Sequence, residues 1–418
     1  MKMSKDRAST SAKLSRRGLL VGAAASPLAA IALPAAAETR PSEPVDHVNL
    51  NMEVPFYGSG GQAGVETPPQ RYIHFMTFDL TTVNPRDLQV LLARWSAAIA
   101  QMAKGETIGQ VEPAREHGIG FDTGEALDLG PASLTVTVGL GPEVFSERLG
   151  LAAMKPQFLR ELEHLPSDAF LPQFTGGDLS LQACADDPQV AYHAIRDLAR
   201  IAKDTGAAST RWTVMGFGRA SAGRNQATPR NLLGYKDGTR NIAEPEDFDR
   251  FVWTRDDPVW GGMGSYQVAR KIKMHIENWD VDRVSDQNNV FGRFKVSGAP
   301  LTGTDEFDTP DFGKTDAEGN HVIPRTSHIS LAAHENNDGI KILRRSYNYT
   351  EGINEVGLLS AGLLFISYQN DPAHFERLQQ RLGAADRLNE YISHIGSAIF
   401  FVPPAPEEGH YIGQQMFG

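Results

Sequence analysis

Residues 177–188, Gly-Asp-Leu-Ser-Leu-Gln-Ala-Cys-Ala-Asp-Asp-Pro, combine a strand-like run with the start of a helix. The apolar part favours a buried strand, and an aspartate followed by proline is typical of a helix N-cap with proline at the first helical position. Residues 362–372, Gly-Leu-Leu-Phe-Ile-Ser-Tyr-Gln-Asn-Asp-Pro, repeat the arrangement. The recurrence of strand, Asp-Pro and helix indicates a chain built from two related halves.

The same order of elements surrounds both segments. An Asn84-Pro85 pair starts an amphipathic helix in the first half, just as an Asp-Pro pair starts each later helix. Strand patterns cover residues 71–80, 134–138, 177–185, 211–215, 265–275, 362–369 and 397–402. We therefore predict an α+β fold of two ferredoxin-like halves, of the dimeric α+β barrel type, with antiparallel sheets and peripheral helices.

Composition shifts divide the chain into five predicted regions. The arm before the first strand is rich in Pro, Gly and polar residues, and the connector between the halves is rich in Gly, Ala, Arg and Asn. The regions are a signal peptide at 1–37, the arm at 38–70, a first ferredoxin-like domain at 71–215, the connector at 216–231 and a second ferredoxin-like domain at 232–418.

The N-terminus carries an arginine pair, Arg16-Arg17, before an Ala-rich apolar run, and residues 35–37 are alanines suited to cleavage. This pattern predicts a twin-arginine signal peptide, because the apolar run is too short for a membrane span. An uncleaved anchor is the alternative. We expect the protein to be periplasmic or otherwise exported. The twin-arginine route carries folded proteins, often after cofactor insertion, so a cofactor is expected in the mature protein.

The bulk composition excludes several classes of function. The 418 residues carry a formal net charge of −11, which argues against nucleic acid as a partner, because phosphate contacts need clustered Lys and Arg. The single cysteine, Cys184, excludes an intramolecular disulfide and a Cys-cluster metal site, and is interpreted as a small buried hydrophobe. No His-Glu-x-x-His segment occurs among the twelve histidines, which disfavours a zinc hydrolase.

Two segments could carry chemistry through a single side chain. Residues 234–241, Gly-Tyr-Lys-Asp-Gly-Thr-Arg-Asn, hold Asp237 on a glycine-flanked turn where backbone can approach a ligand closely; an ordinary polar turn is the alternative. Residues 325–332 hold His328 in a run of small and apolar residues that could pack beside a planar cofactor. A surface or core histidine is the alternative there.

A third segment carries two adjacent arginines, Arg344 and Arg345, in a strand-like run. Neighbouring side chains in a strand point to opposite faces, so one arginine can enter a pocket while the other meets solvent or an acidic neighbour. A solvated pair on an edge strand is the alternative.

Six segments, taken in order over residues 70–404, resemble the dye-decolourising (DyP-type) haem peroxidases. Any one of them is weakly specific, but six in the same order with similar spacing are strongly so. The twin-arginine signal is similar to that of the exported branch, which includes iron-uptake-associated deferrochelatases. The segments are residues 177–188, 234–241, 292–301, the Ser-His-Ile run at 327–329, the Leu-Arg-Arg run at 343–345, and 363–372.

The resemblance implies one haem b per chain, held in the second half. By position, His328 is similar to the axial ligand of the iron, and Asp237 and Arg344 are similar to the catalytic pair on the peroxide side. Glu390 is expected to accept a hydrogen bond from the other ring nitrogen of His328, with a helix-surface glutamate as the alternative. The residues expected to contact haem are Gly238, Thr239, Arg240, His328, His334 and Arg344.

The resemblance further implies a peroxidase that reduces hydrogen peroxide and oxidises organic donors or ferrous iron. A carboxylate can move the proton between peroxide oxygens, and a guanidinium can stabilise the charge that develops on the leaving oxygen. The alternatives are a deferrochelatase-like protein, which releases iron from haem with the tetrapyrrole intact, and a haem-binding domain without turnover. A homodimer and a partner from an iron-uptake system stay open.

One departure from the family pattern concerns the haem propionates. Family members with an Asn-Pro-Arg run shortly after the axial histidine bind a propionate through that arginine. This chain has Ala333-His334-Glu335 there, so propionate binding is expected to fall to Arg240, Arg293 or His334.

Overall fold

The computed structural model describes residues 48–115, 117–218 and 227–418. The predicted signal peptide at 1–37 lies outside these residues, as does most of the predicted arm before residue 48. No helix in the described part of the chain is long and apolar enough to cross a membrane.

The described residues form nine strands and seven α-helices. The strands β1 to β9 are Tyr72–Leu80, Thr135–Leu140, Leu179–Ala185, Ala208–Phe217, Ser265–Met274, Leu343–Arg344, Tyr347–Ile353, Leu359–Gln369 and Ile392–Val402. The helices α1 to α7 are Pro85–Met102, Pro188–Thr205, Pro245–Phe251, Ile276–Asp280, Val284–Phe291, His328–Ala332 and Pro372–Ala385.

Eight of the strands form one closed antiparallel sheet. They follow the order β5-β9-β2-β3-β1-β4-β7-β8, and β8 pairs again with β5, while β6 lies on the edge of β8. The two seams between the halves are thin: β2 meets β9 at one residue pair, and β4 meets β7 at two. The antiparallel α+β prediction is confirmed, and the closure makes the sheet barrel-like.

Both halves use their strands in the same spatial order. In the first half the order is β2-β3-β1-β4, and in the second half it is β7-β8-β5-β9, so the second, third, first and fourth strands are neighbours in each case. Strand β6 is an addition to this plan. Strand β4 runs to Phe217, two residues into the predicted connector.

Asparagine and aspartate caps start the three longest helices where the sequence predicts. The side chains of Asn84, Asp187 and Asp371 each accept a hydrogen bond from a backbone N–H in the first helical turn, and a proline follows each cap. These caps satisfy amide groups that the helix itself leaves without partners. The helix boundaries are therefore set locally, by residues adjacent in sequence.

A buried polar network joins strands from both halves inside the barrel. Gln267 on β5 donates to the hydroxyl of Tyr368 on β8 at 2.7 Å, and that hydroxyl donates to Gln182 on β3 at 2.9 Å. Ser180 donates to Gln267 at 3.0 Å. Buried polar groups are costly unless they are paired, so this network favours one relative placement of the three strands.

Gly362 on β8 faces the carbonyl of Ile272 on β5, and a Cβ there would lie 1.9 Å from the carbonyl oxygen. We expect Gly362→Ala to lower the free energy of unfolding by about 2 kcal/mol or more, because backbone atoms cannot move aside cheaply. Urea denaturation measures the difference. Gly262→Ala is the matched control, since its Cβ would meet nothing closer than 3.9 Å. Equal stability of the two variants would contradict tight β5–β8 closure.

Candidate active site

A cavity of about 240 Å³ lies entirely within the second half, between the sheet and helices α5 to α7. Its apolar wall comes from strands β5 and β8 and from the helices, and includes Ile272, Met274, Phe291, Leu363, Phe365 and Leu378. Every residue predicted for the site except Glu390 lines it, namely Asp237, Gly238, Thr239, Arg240, His328, His334 and Arg344. The structure therefore brings together side chains up to about a hundred positions apart in sequence.

His328 is the first residue of α6, and its ring is anchored on one side only. Its Nδ1 lies 2.7 Å from Oδ2 of Asp386, while Nε2 has no hydrogen-bond partner among the described residues. The side chain is 31% accessible because it faces the cavity. Burial lowers the pKa of His328, but the charge and hydrogen bond of Asp386, joined by the charge of Asp237, prevail and raise it above its ordinary value.

The carboxylate behind His328 is Asp386, so the prediction of Glu390 for this position is wrong. Asp386 caps a short 3-10 helix at Arg387–Glu390: its Oδ1 accepts from the Leu388 amide at 2.9 Å, which leaves Oδ2 for the imidazole. Glu390 ends the same turn and is exposed. A carboxylate in this position fixes the ring orientation and makes the free nitrogen a stronger donor to a metal.

Asp237 and Arg344 meet at the cavity wall. Nη1 of Arg344 lies 3.5 Å from Oδ1 of Asp237, and Nη2 donates to the Thr239 carbonyl at 3.1 Å. Asn241 fixes the arginine from behind, because its side chain donates to the Arg344 carbonyl at 2.7 Å and accepts from the Arg344 amide at 2.9 Å. The Asp-Gly turn and the arginine strand are thus clamped together by one asparagine whose role the sequence analysis missed.

Arg345 points away from the cavity, as adjacent strand residues must, but it meets neither solvent nor an acidic neighbour. It is 1% exposed. Nη1 donates to the Thr67 carbonyl at 2.5 Å, and Nη2 donates to the side-chain oxygen of Gln70. The expectation for the second arginine is therefore wrong: it ties the segment before β1 to the second half through neutral acceptors.

The three residues considered for propionate binding differ in how freely they face the cavity. Arg240 pairs with Glu335 at 2.5 Å, and its Nη2 lies 3.5 Å from Nδ1 of His334. Arg293 is 6% exposed, and Nη1 donates to the carbonyls of Gly298 and Glu306 at 2.6 and 2.9 Å. Burial lowers the pKa of Arg293 to about 10. Arg293 is thus committed to its own loop, whereas Arg240 and His334 lie at a partly exposed edge.

Two family models match the chain. They are described as Dyp-type peroxidase, N-terminal, over residues 62–218, and Dyp-type peroxidase, C-terminal, over residues 228–407.

This chain belongs to the Dyp-type peroxidase family.

Curated relatives and solved structures cover almost the whole chain. A dye-decolorizing peroxidase from Thermobifida fusca is 36% identical over 96% of this chain and 97% of its own length. A deferrochelatase from Escherichia coli strain UTI89 is 35% identical over 96% of both chains. The structure of ferric DtpA from Streptomyces lividans superposes with a TM-score of 0.81 at 37% identity, over 88% of this chain and 98% of that chain.

The cavity of this Dyp-type chain suits a haem. A haem needs one strong axial nitrogen, an apolar enclosure for the porphyrin and cationic partners for its propionates. The free Nε2 of His328 can bind the iron, and the apolar wall can enclose the porphyrin. Arg240 and His334, at the edge of the cavity, can pair with the propionates. Of these groups, His328, Arg240 and His334 were predicted from the sequence, whereas the apolar wall, Asp386 and Asn241 were not.

A further carboxylate, Glu306, holds the Asp-Gly turn from outside the cavity. It accepts from the hydroxyl of Thr239 at 3.0 Å and pairs with Lys236. Burial alone would raise the pKa of Glu306, but hydrogen bonds from Lys236, Thr228 and Thr239 outweigh it and lower the pKa. Nothing in the local sequence distinguishes this glutamate, because its partners lie about 70 residues earlier.

The lowered pKa of Glu306 makes its contribution to stability depend on pH. A depressed carboxyl pKa stabilises the folded state above the ordinary value of 4.5, and this contribution is lost as the pH falls through the folded pKa. We therefore expect Glu306→Gln to be less stable than wild type near pH 7, and this difference to narrow as the pH is lowered below 4.5. Urea denaturation near pH 7 and below pH 4.5 tests this. The exposed Glu318→Gln is the control, and a gap that is the same at both pH values would contradict the assignment.

Proposed function

We propose that this chain is a haem b peroxidase that reduces hydrogen peroxide and oxidises organic donors or ferrous iron. The observation that carries the proposal is one cavity holding a carboxylate-backed imidazole with a free Nε2 together with the Asp237–Arg344 pair. Carrying haem alone needs an axial ligand, whereas the clamped acid and guanidinium add groups that suit proton transfer.

Each side chain has a distinct part in this proposal. Haem, when bound, would supply the electrons that reduce hydrogen peroxide. His328 would hold the iron through Nε2, with Asp386 orienting the ring. The Asp237 carboxylate would accept a proton from one peroxide oxygen and return it to the other, which then departs as water. Arg344, kept in place by Asn241, would stabilise negative charge on the departing oxygen and retain its own proton.

The cavity edge supports an assignment of the propionate partners. We propose Arg240 and His334 as these partners, because both line the cavity and neither side chain donates a hydrogen bond to a backbone carbonyl. Binding there would exchange the Arg240–Glu335 pair, whose Arg240 side chain is 26% accessible, for a propionate. Gly238 and Thr239 would lie against the haem, since both line the cavity.

We also propose that the chain consists of two ferredoxin-like halves and that it is exported. The identical order of second, third, first and fourth strands supports two ferredoxin-like halves, with the first extended to Phe217. The Arg16-Arg17 pair and the following apolar run support export by the twin-arginine pathway, with a periplasmic or otherwise exported mature protein.

A deferrochelatase role is the second candidate, because a relative with that name is 35% identical over 96% of both chains. Such a protein would release iron from haem and leave the tetrapyrrole intact. The two roles separate by product: iron-free porphyrin that accumulates without peroxide favours the second, and donor oxidation that requires peroxide favours the first.

The distal pair is tested by Asp237→Asn and Arg344→Leu. We expect each variant to keep the Soret band and to lose about 10²–10⁴-fold in the rate of peroxide-driven dye oxidation, since proton transfer and charge stabilisation are removed separately. Stopped-flow absorbance after one equivalent of peroxide measures the first step directly. His328→Ala is the reference that should lose the Soret band. Undiminished activity in both distal variants would overturn their assignment.

The proximal carboxylate is tested by the pair Asp386→Asn and Glu390→Gln. Because only Asp386 contacts the imidazole, we expect Asp386→Asn to weaken haem binding about 10–100-fold and Glu390→Gln to leave it unchanged. Transfer of haem to excess apomyoglobin gives the dissociation rates. The opposite order of the two variants would restore Glu390 as the partner.

A further inference from the structure

A cluster of titratable side chains lies in the first half, separate from the haem cavity. It comprises Asp122, from the segment between α1 and β2, and His193 and Asp197, which are four residues apart on α2. The three residues are 3%, 5% and 1% exposed, respectively. We call Asp122, His193 and Asp197 the Asp–His cluster. Its ligand atoms all lie within 4.8 Å of one another.

The ring of His193 is oriented by a carboxylate outside the cluster. Its Nδ1 lies 3.1 Å from Oε2 of Glu125, whose other oxygen accepts from Arg196 at 2.9 Å. The Glu125 carboxylate in this position accepts the Nδ1 proton, and the Nε2 lone pair is then directed to the other side of the ring.

That lone pair faces two more carboxylates. Nε2 of His193 lies 3.6 Å from Oδ2 of Asp122 and 3.5 Å from Oδ2 of Asp197. Three groups rich in negative charge converge there, and neither distance is that of a good hydrogen bond. Such an arrangement is repulsive unless a positive charge lies between the groups.

Asp197 supplies an independent sign of a missing partner. Both of its carboxylate oxygens are buried and lack a hydrogen-bond partner among the described residues. The hydroxyl and the amide of Thr123 lie near this carboxylate, but neither makes a well-aligned hydrogen bond to it. Asp122, by contrast, is fixed by the amides of Ile108 and Gly124 at 2.9 and 2.7 Å. A buried carboxylate without a well-aligned donor is costly, and a bound cation is one arrangement that would satisfy it.

We propose that Asp122, His193 and Asp197 bind one zinc ion. Zinc takes nitrogen and oxygen ligands at about 2.0–2.2 Å in tetrahedral geometry, which sets ligand atoms about 3.3–3.6 Å apart. The measured 3.5 and 3.6 Å fit this spacing. Octahedral magnesium needs neighbouring oxygens about 3 Å apart and does not favour imidazole. Zinc would coordinate Nε2 of His193, with Glu125 as the carboxylate behind the ring.

The region around the Asp–His cluster has space for a fourth zinc ligand and contains a long segment that a zinc ion would stabilise. A cavity of about 20 Å³, lined by Asp122 and His193, is large enough for one water. Residues 103–115 and 117–134 contain no helix or strand, an unusually long connection for a packed domain. Zinc would fasten this segment to α2 and so stabilise it in the folded state only.

The competing explanation is a proton: a doubly protonated His193 could supply the positive charge without any metal. A zinc ion differs from a proton because it can be counted by elemental analysis and has ligands at measurable distances. X-ray absorption at the zinc edge measures these distances without interference from the haem iron. After chelation and return of one equivalent of Zn²⁺ to the full-length holoprotein, we expect one zinc per chain by elemental analysis. We also expect a nearest shell of three or four nitrogen or oxygen atoms at about 2.0 Å, the outer-shell scattering of one imidazole ring, and an unfolding midpoint raised by several degrees.

Variants on one helix provide the controls. Asp197→Asn and His193→Gln should lose the bound zinc and the zinc-dependent rise of the unfolding midpoint, while the Soret band and dye oxidation stay intact. The exposed Asp204→Asn on α2 should keep both zinc effects. Wild type that retains no zinc, or zinc retained equally by Asp197→Asn, overturns the proposal. If both cluster variants fail to fold, the wild-type absorption spectrum still decides, because a spectrum without the outer-shell scattering of an imidazole ring excludes His193.

Discussion

Strand β5 makes hydrogen-bonded ladders on both of its edges, with eight residue pairs to β8 and ten to β9. This double pairing closes the sheet and aligns the apolar wall of the cavity, because it sets Ile272 of β5 directly opposite Leu363 of β8. A slip by one residue would turn every side chain of a strand to the other face. The buried network through Gln267 and Tyr368 raises the cost of such a slip further, because the slip would leave several buried polar groups without hydrogen-bond partners.

In the active site, single side chains likewise fix the local fold and the position of a functional group at the same time. Asp386 caps a helical turn with one oxygen and orients His328 with the other, so the local fold and the imidazole position share a single carboxylate. Asn241 likewise holds both backbone groups of Arg344 while belonging to the turn that carries Asp237. Precision at the cavity therefore rests on residues that never need to touch a substrate, and changes to them alter geometry before they alter chemistry.

Local rules predicted the parts of the fold that neighbouring residues determine. Asp187 and Asp371 start their helices through bonds to the next turn, and strand patterns located the sheet. The site residues followed from family resemblance, and the cavity brings them together. Glu390 was predicted as the partner of His328 in place of Asp386. Both carboxylates lie on one short turn, and only the packed structure shows which of them faces the imidazole. The burial of Arg345 and the role of Glu306 depend on partners 70 to 278 positions away, which no local pattern encodes.

The thin seams of the barrel have a consequence for the cavity wall. Only one residue pair joins β2 to β9 and two join β4 to β7, against eight and ten on the edges of β5. These two seams divide the barrel into two four-stranded sheets, which the buried hydrogen bonds among Gln182, Gln267 and Tyr368 join. Every residue that lines the large cavity lies between positions 231 and 394, within the second of these sheets and the segments packed on it. The backbone ladders that join the two halves therefore contribute nothing to the wall of the chamber in which the proposed chemistry takes place.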